Sequence, residues 1–224
     1  MNMSGKLLSG IALSSVLLVG CVSKVTDETQ YSGFLPSYEG LQKTTSASGQ
    51  PVMRWVAEGF NPDAYNTVAF DQLELYPAPK PNERVNLQTL QELQSLTSLS
   101  VKNVLGQKYK LVSNATAAAP GSRTLILHAA ITGVSASNQG MRWYEVLPVT
   151  AVAGAVSVAG GYRDQNTELY VEADLVDATT GLPVAKVVRK VFGAALDNNS
   201  QAITANDFKV AIKDLSADMQ AFIK

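Results

Sequence analysis

Cysteine occurs once in the 224 residues and histidine once, and each scarcity removes a class of chemistry. One thiol cannot form an internal disulfide, so stability has to come from an ordinary core even in an oxidising compartment. One cysteine and one histidine are too few for a zinc site of the Cys/His type. Positive charge is not in surplus either: 18 Lys and Arg stand against 19 Asp and Glu, a net charge of −1. Such a chain has little with which to neutralise phosphates, and nucleic acid is not an expected partner. No Gly-x-Ser-x-Gly elbow is present, and the glycine-rich "GAVSVAGGY" lacks the Lys-Ser/Thr pair of a phosphate-binding loop. No cofactor and no metal are expected, and no catalytic residue is assigned.

What is present begins at the first residue. "MNMSGKLLSGIALSSVLLVG" carries one positive charge at Lys6 and an apolar run from Leu7 to Val19. It reads as a secretory signal peptide over residues 1–20. The run is well short of the roughly 20 residues that span a bilayer, which disfavours a permanent anchor. The tetrad Leu18-Val19-Gly20-Cys21 that ends it resembles the bacterial lipobox. That resemblance implies that the Cys21 thiol takes a diacylglyceryl group, that the chain is cut before Cys21, and that the new amine is acylated, palmitate being the type of chain added. The step suits cysteine because its thiolate is the strongest side-chain nucleophile near neutral pH. Several acyl chains, at about 0.8 kcal/mol per buried CH₂, make release negligible. The competing reading of Cys21 is a small buried hydrophobe. Val22, where an aspartate would signal retention at the inner membrane, implies the periplasmic leaflet of a Gram-negative outer membrane.

After cleavage, residues 21–53 read as a polar spacer, of which "QKTTSASGQP" is the least foldable part. Fully extended, the spacer would reach roughly 100 Å at about 3.3 Å per residue. Within it "YSGFLPSYEGL" is too apolar for a solvated tether. Phe34, Leu35 and Tyr38 are expected to fix it to the domain, the alternative being an extended stretch that serves as a contact surface for a partner.

Residues 54–224 read as one domain. "YNTVAFDQLELY" alternates Val68, Phe70, Leu73 and Leu75 with polar residues and predicts a first strand. Asn86 then precedes a helix on which Leu90, Leu93, Leu96 or Thr97, Val101 and Val104 recur at helical spacing, with Gly106 as its cap. "KYKLVS" predicts a short strand and "RTLILHAAITGVSAS" a long central one. In "TELYVEADLVDATTGLPVAKVVRKVF", Leu169, Val171, Ala173 and Leu175 share one face and Glu168, Tyr170, Glu172 and Asp174 the other, with "DATTG" supplying the turn of a hairpin. One face is read as packed and the other as wet. Thr204 and Asp207 then form a capping-box-like pair ahead of a final helix striped by Phe208, Ile212, Leu215, Met219 and Phe222. The expected fold is α+β: a mixed, mainly antiparallel sheet of about five strands, with the internal and C-terminal amphipathic helices on one face.

Three features bear on function. The uncharged stretch from Val146 to Gly161 reads as a buried small-residue segment, with an interface as its alternative. His128, inside the central strand, reads as structural, although a Ser-His-Asp relay built around it stays geometrically open. Glu168, Glu172 and Asp174 form an acidic row that would attract calcium only with a liganding loop, which is missing; a solvated face is the plainer reading.

The lipobox, "YSGFLPSYEGL", "MRWVAEGFNPDAYNTVAFDQLELYP", the Ala/Gly-rich stretch, "VEADLVDATTGLPVA" and the final amphipathic helix together resemble the bacterial lipoproteins grouped as domain of unknown function 3313. The family implies this architecture and no mechanism. Its basic loop after the hairpin is replaced here by "GAALDNNSQ", which speaks against headgroup binding there. Two functions are expected to compete. The first is a non-enzymatic structural or accessory component of an envelope assembly, held to outer-membrane lipid through Cys21 and touching an envelope protein partner. The second is a periplasmic hydrolase or small-ligand carrier with a pocket near His128 or Trp143.

Overall fold

A computed structural model describes residues 25–137, 165–198 and 200–224. Cys21 with its lipobox, Trp143 and the stretch 146–161 lie outside the described residues. In chain order the strands are β1 (Gln42–Thr45), β2 (Pro51–Val56), β3 (Thr67–Ala69), β4 (Glu74–Leu75), β5 (Lys110–Val112), β6 (Thr124–Ser137), β7 (Gln165–Asp177) and β8 (Pro183–Leu196); the helices are α1 (Leu87–Leu105) and α2 (Lys209–Phe222). One sheet contains all eight strands in the order β1-β2-β8-β7-β6-β3-β5, with β4 also on β6. Pairing is antiparallel from β1 through to β6, whereas β3 and β4 run parallel to β6 and β5 runs parallel to β3. The class is the mixed α+β one expected, with eight strands in place of five.

The extra strands have two sources. The expected first strand is split into β3 and β4, because α1 seizes the backbone between them: Ser98 Oγ accepts from Leu73 N at 2.9 Å and Gln94 donates to Leu73 O at 2.7 Å. Both pieces still pair with β6, at Thr124–Ile126 and again at Ala130–Ile131. The second source is a correction. Residues 42–53, read as spacer, form the β1–β2 hairpin and join the sheet along β8. Polar "QKTTSASGQP" suits an edge, where one side of the strand faces water and apolar alternation is not required.

Both helices lie on one face of the sheet. Leu90, Leu93, Thr97 and Val104 of α1 are buried, while Leu96 stays 40 % exposed, which settles the alternative left by the helical spacing. Phe208, wholly buried, sits in the short turn before α2, and Ile212 follows it into the core. Leu215, Met219 and Phe222 pack against the core while remaining half-buried. The cap of this segment is present, Asp207 Oδ2 accepting from Thr204 N at 2.7 Å. On the sheet side the core receives Leu125, Leu127, Ala129 and Ile131 of β6, Leu169, Val171 and Ala173 of β7, and Val191 of β8. The β7–β8 hairpin turns as expected, with Asp177 Oδ1 accepting from Thr179 N at 2.7 Å and Gly181 at φ 69.

Candidate functional site

The opposite face of β7 overturns the wet-face reading. Glu168, Tyr170, Glu172 and Asp174 are at most 4 % exposed. Tyr170 and Glu172 are met by the N-terminal segment, which runs alongside β7 in the same direction. Gln30 donates to the Tyr170 hydroxyl at 3.3 Å. Two residues on, Ser32 N donates to Glu172 Oε1 at 2.8 Å, and the Tyr38 hydroxyl donates to Glu172 Oε2 at 2.6 Å. Further along, Lys186 of β8 donates to the carbonyls of Ser37 and Glu39, at 3.2 and 2.6 Å. Gly40 then passes so close to Trp55 that a Cβ there would lie 2.7 Å from the ring. A buried carboxylate left without donors is costly, so each member of the row needs the partner it has.

One ion pair lies within this layer. Lys190 meets Glu168 at 3.2 Å, and Tyr170 donates to the same carboxylate at 2.9 Å. Burial, and then the hydrogen bond to Glu172, push the Tyr38 hydroxyl up to about 12. Tyr170 is pushed up as well, by burial first and then by the charge of Glu168. Both hydroxyls are therefore donors throughout the physiological range. Among the described residues no group of three or more His, Cys, Asp or Glu could hold a metal ion, and the acidic row itself is taken up by hydrogen bonds.

The sequence-predicted residues fall as follows. Leu35 is buried. Phe34 is half-buried, its ring edge-on to Tyr76 at 5.5 Å, and Tyr38 stacks on Tyr31 at 4.4 Å. The segment thus lies on the domain. His128 is exposed and its Nδ1 meets Asp174 Oδ1 at 2.8 Å. The hydrogen bond to Asp174, partly opposed by burial, raises its pKa. Among the described residues no hydroxyl is hydrogen-bonded to this imidazole, so the relay stops at two members.

A cavity of about 160 Å³ lies on the helix face, between the two helices and strands β2, β6, β7 and β8. Its wall is mainly apolar and includes Leu127 and Ala129 but not His128. Beside it a polar group was missed by the sequence reading. Arg189, 4 % exposed, is ion-paired with Asp218 of α2, whose two carboxylate oxygens also accept from Ser48 N at 2.6 Å and Ser48 Oγ at 2.8 Å. Burial pushes the Asp218 carboxyl up, but the bonds from Ser48 and Arg189 outweigh it and leave the pKa below its ordinary value. The signal was present: Arg189 stands in the inward row of β8, between Val187 and Val191, where the strand period calls for an apolar residue.

Comparison with known proteins gives the chain its kin. The model of the family described as "Protein of unknown function (DUF3313)" matches residues 30–219. "Uncharacterized lipoprotein YdcL" of Escherichia coli (strain K12) is 40 % identical over 205 residues, 92 % of this chain and 90 % of that one. The protein of the same description from Escherichia coli O157:H7 matches equally. Among solved structures, a PelC dodecamer from Paraburkholderia phytofirmans covers 75 % of this chain and 96 % of its own at 11 % identity and a TM-score of 0.39. A neuraminyllactose-binding hemagglutinin homolog from Helicobacter pylori covers 80 % and 90 % at 9 % identity and a TM-score of 0.33. Likeness at these scores carries no argument. The family match and the near full-length identity to lipoproteins do: the chain belongs to the DUF3313 family and is a lipoprotein by kinship.

Proposed function

We propose that the protein is a non-enzymatic accessory lipoprotein of the outer membrane, facing the periplasm, whose domain is held tightly against the bilayer. The observation that carries this reading is the docked N-terminal segment. Thr26 is already packed, at only 3 % exposed, and Gln30 then bonds to Tyr170 of β7. Four covalent steps separate Cys21 from Val25, and at about 3.5 Å per step they reach no further than about 14 Å. The 100 Å tether expected from the sequence is thereby shortened several-fold.

Direction follows as well. From Gln30 beside Tyr170 to Ser32 beside Glu172 the segment advances towards the β7–β8 turn. Its start therefore points the other way, to the end of the sheet where β6 finishes at Ser137 and β7 begins at Gln165. With Cys21 acylated, that end faces lipid and the β7–β8 turn faces the periplasm. Leu35 and Tyr38 are spent on the domain, so an envelope partner meets other surfaces.

Support for the anchor comes from the signal peptide, the lipobox and the lipoprotein relatives; support for the outer membrane comes from Val22. Cys21→Ser is expected to leave an uncut precursor that takes up no palmitate label, and Val22→Asp to move the protein towards the inner membrane on fractionation. Processing and normal outer-membrane fractionation of Cys21→Ser would overturn the reading.

A further inference from the structure

We propose that the cavity between the helices and the sheet is a binding site for a small neutral molecule with a compact hydrocarbon body and one oxygen acceptor, such as a cyclic alcohol or ketone. Three observations lead there. The first is size and lining: at about 160 Å³ it matches voids of about 150 Å³ that admit a six-membered ring, and Val52, Val101, Leu127, Ala129, Val171 and Ile212 give it an apolar wall. Half-buried Leu175, Val187, Leu215 and Phe222 also line it, so it is reached from outside without unfolding the core.

The second observation concerns two polar atoms. Thr97 and Arg189 both line the cavity and are 3 and 4 % exposed, yet among the described residues Thr97 Oγ1 and Arg189 Nε have no hydrogen-bond partner. Buried polar atoms in folded proteins are nearly always satisfied, and an unsatisfied one beside a void marks the place of a missing partner. Arg189 Nε can only donate, so the partner must carry an acceptor; the Thr97 hydroxyl can donate or accept.

The third observation concerns the charge at Nε; Arg54, the other arginine of the lining, sits over the Phe222 ring at 5.7 Å. The Arg189 guanidinium is already neutralised by Asp218, and Ser48 holds both oxygens of that carboxylate. An anion would have to break this arrangement, whereas a hydroxyl or carbonyl oxygen can use Nε and leave it intact. The site lies on the opposite face of the sheet from the docked segment and does not depend on how the protein is anchored.

The test uses the full mature lipoprotein in detergent micelles, with alanine, valine, isoleucine and leucine methyl groups observed by NMR during titration with cyclohexanone, methylcyclohexane or cyclohexanecarboxylate. Cyclohexanone is expected to shift the methyls of Ala129, Val101 and Ile212 saturably and to bind about tenfold more tightly than methylcyclohexane, with no saturable response to the carboxylate. Thr97→Val, which keeps the shape and removes an unpaired hydroxyl, is expected to raise the melting temperature of the free protein and to weaken cyclohexanone while leaving methylcyclohexane unchanged. Equal binding of ketone and hydrocarbon, preference for the carboxylate, or no saturable shift with any probe would overturn the proposal. So would an ordered water at Thr97 that none of the probes displaces.

Discussion

Glu172 is the residue on which the N-terminal segment turns. It is 1 % exposed and accepts from Ser32 N and from the Tyr38 hydroxyl, one bond to each oxygen. Glu172→Ala removes the acceptor and leaves both donors under the segment; it is expected to cost about 2 to 4 kcal/mol in urea unfolding and to expose the segment to protease. Tyr38→Phe removes two bonds, the one donated to Glu172 and the one accepted from Gly33 N, and should cost about 1 to 3 kcal/mol. His128 supplies a pH-dependent contribution. Its pKa is raised in the folded state, chiefly by the bond to Asp174, so the stability it adds is fully present below the unfolded value near 6.5 and is lost as pH rises through the higher folded value. The stability difference between the wild type and His128→Gln should therefore be largest at about pH 5.5 and fade on the alkaline side of neutrality, as read from urea midpoints at matched ionic strength. The sequence displayed Glu168, Glu172 and Asp174 as one row, yet it could not show them buried. Strand alternation reports that residues share a face and is silent on what lies over it, and the cover here is contributed from more than 130 positions away.

Elements with a strong period were legible for a physical reason: α1, β6, β7, β8 and α2 each bury one face in the shared core, and burial selects the period. β1 was missed because its outer neighbour is water, and β2, between β1 and β8, because Val52 alone of its residues is fully buried. The stripe runs from the turn before α2 into the helix, and its members differ in weight. Phe208 is wholly buried and Leu215 only half-buried, so Phe208→Ala is expected to cost about 3 to 5 kcal/mol and Leu215→Ala clearly less. Two further contacts lock the end of the chain onto β8. At Gly193 a Cβ would lie 2.3 Å from Thr167 Oγ1 and 2.5 Å from Asp207 O, so Gly193→Ala should displace the turn before α2 and cost about 1 to 3 kcal/mol. Asp218→Asn would strand the buried Arg189 guanidinium at a cost of about 3 to 5 kcal/mol. Because the Asp218 pKa is depressed, the stability from its charge is present above the ordinary carboxylate range and is lost as pH falls through the folded value. Chemical denaturation of each variant at neutral pH and again well below the ordinary carboxylate value of 3.8 separates these effects.

Considered whole, the described residues form a sheet with helices on one face and the N-terminal segment on the other, and in the proposed function that segment shortens the tether to a mount. The proposed mount sets an orientation in which the Gln165 end of β7 lies near the bilayer and the Thr180 turn far from it. At about 3.3 Å per residue the 13 residues of β7 separate the two ends by about 40 Å. Cys21 is the one cysteine in the chain, and the proposed acylation would leave it no free thiol, so Asn198→Cys and Thr180→Cys could each be labelled alone. The decisive measurement is energy transfer from a dye at either position to a headgroup acceptor in nanodiscs, using lipoprotein first verified to carry its acyl chains. Strong transfer from Asn198 and weak transfer from Thr180 are predicted; equal transfer from the two, or stronger transfer from Thr180, would contradict the mounted orientation.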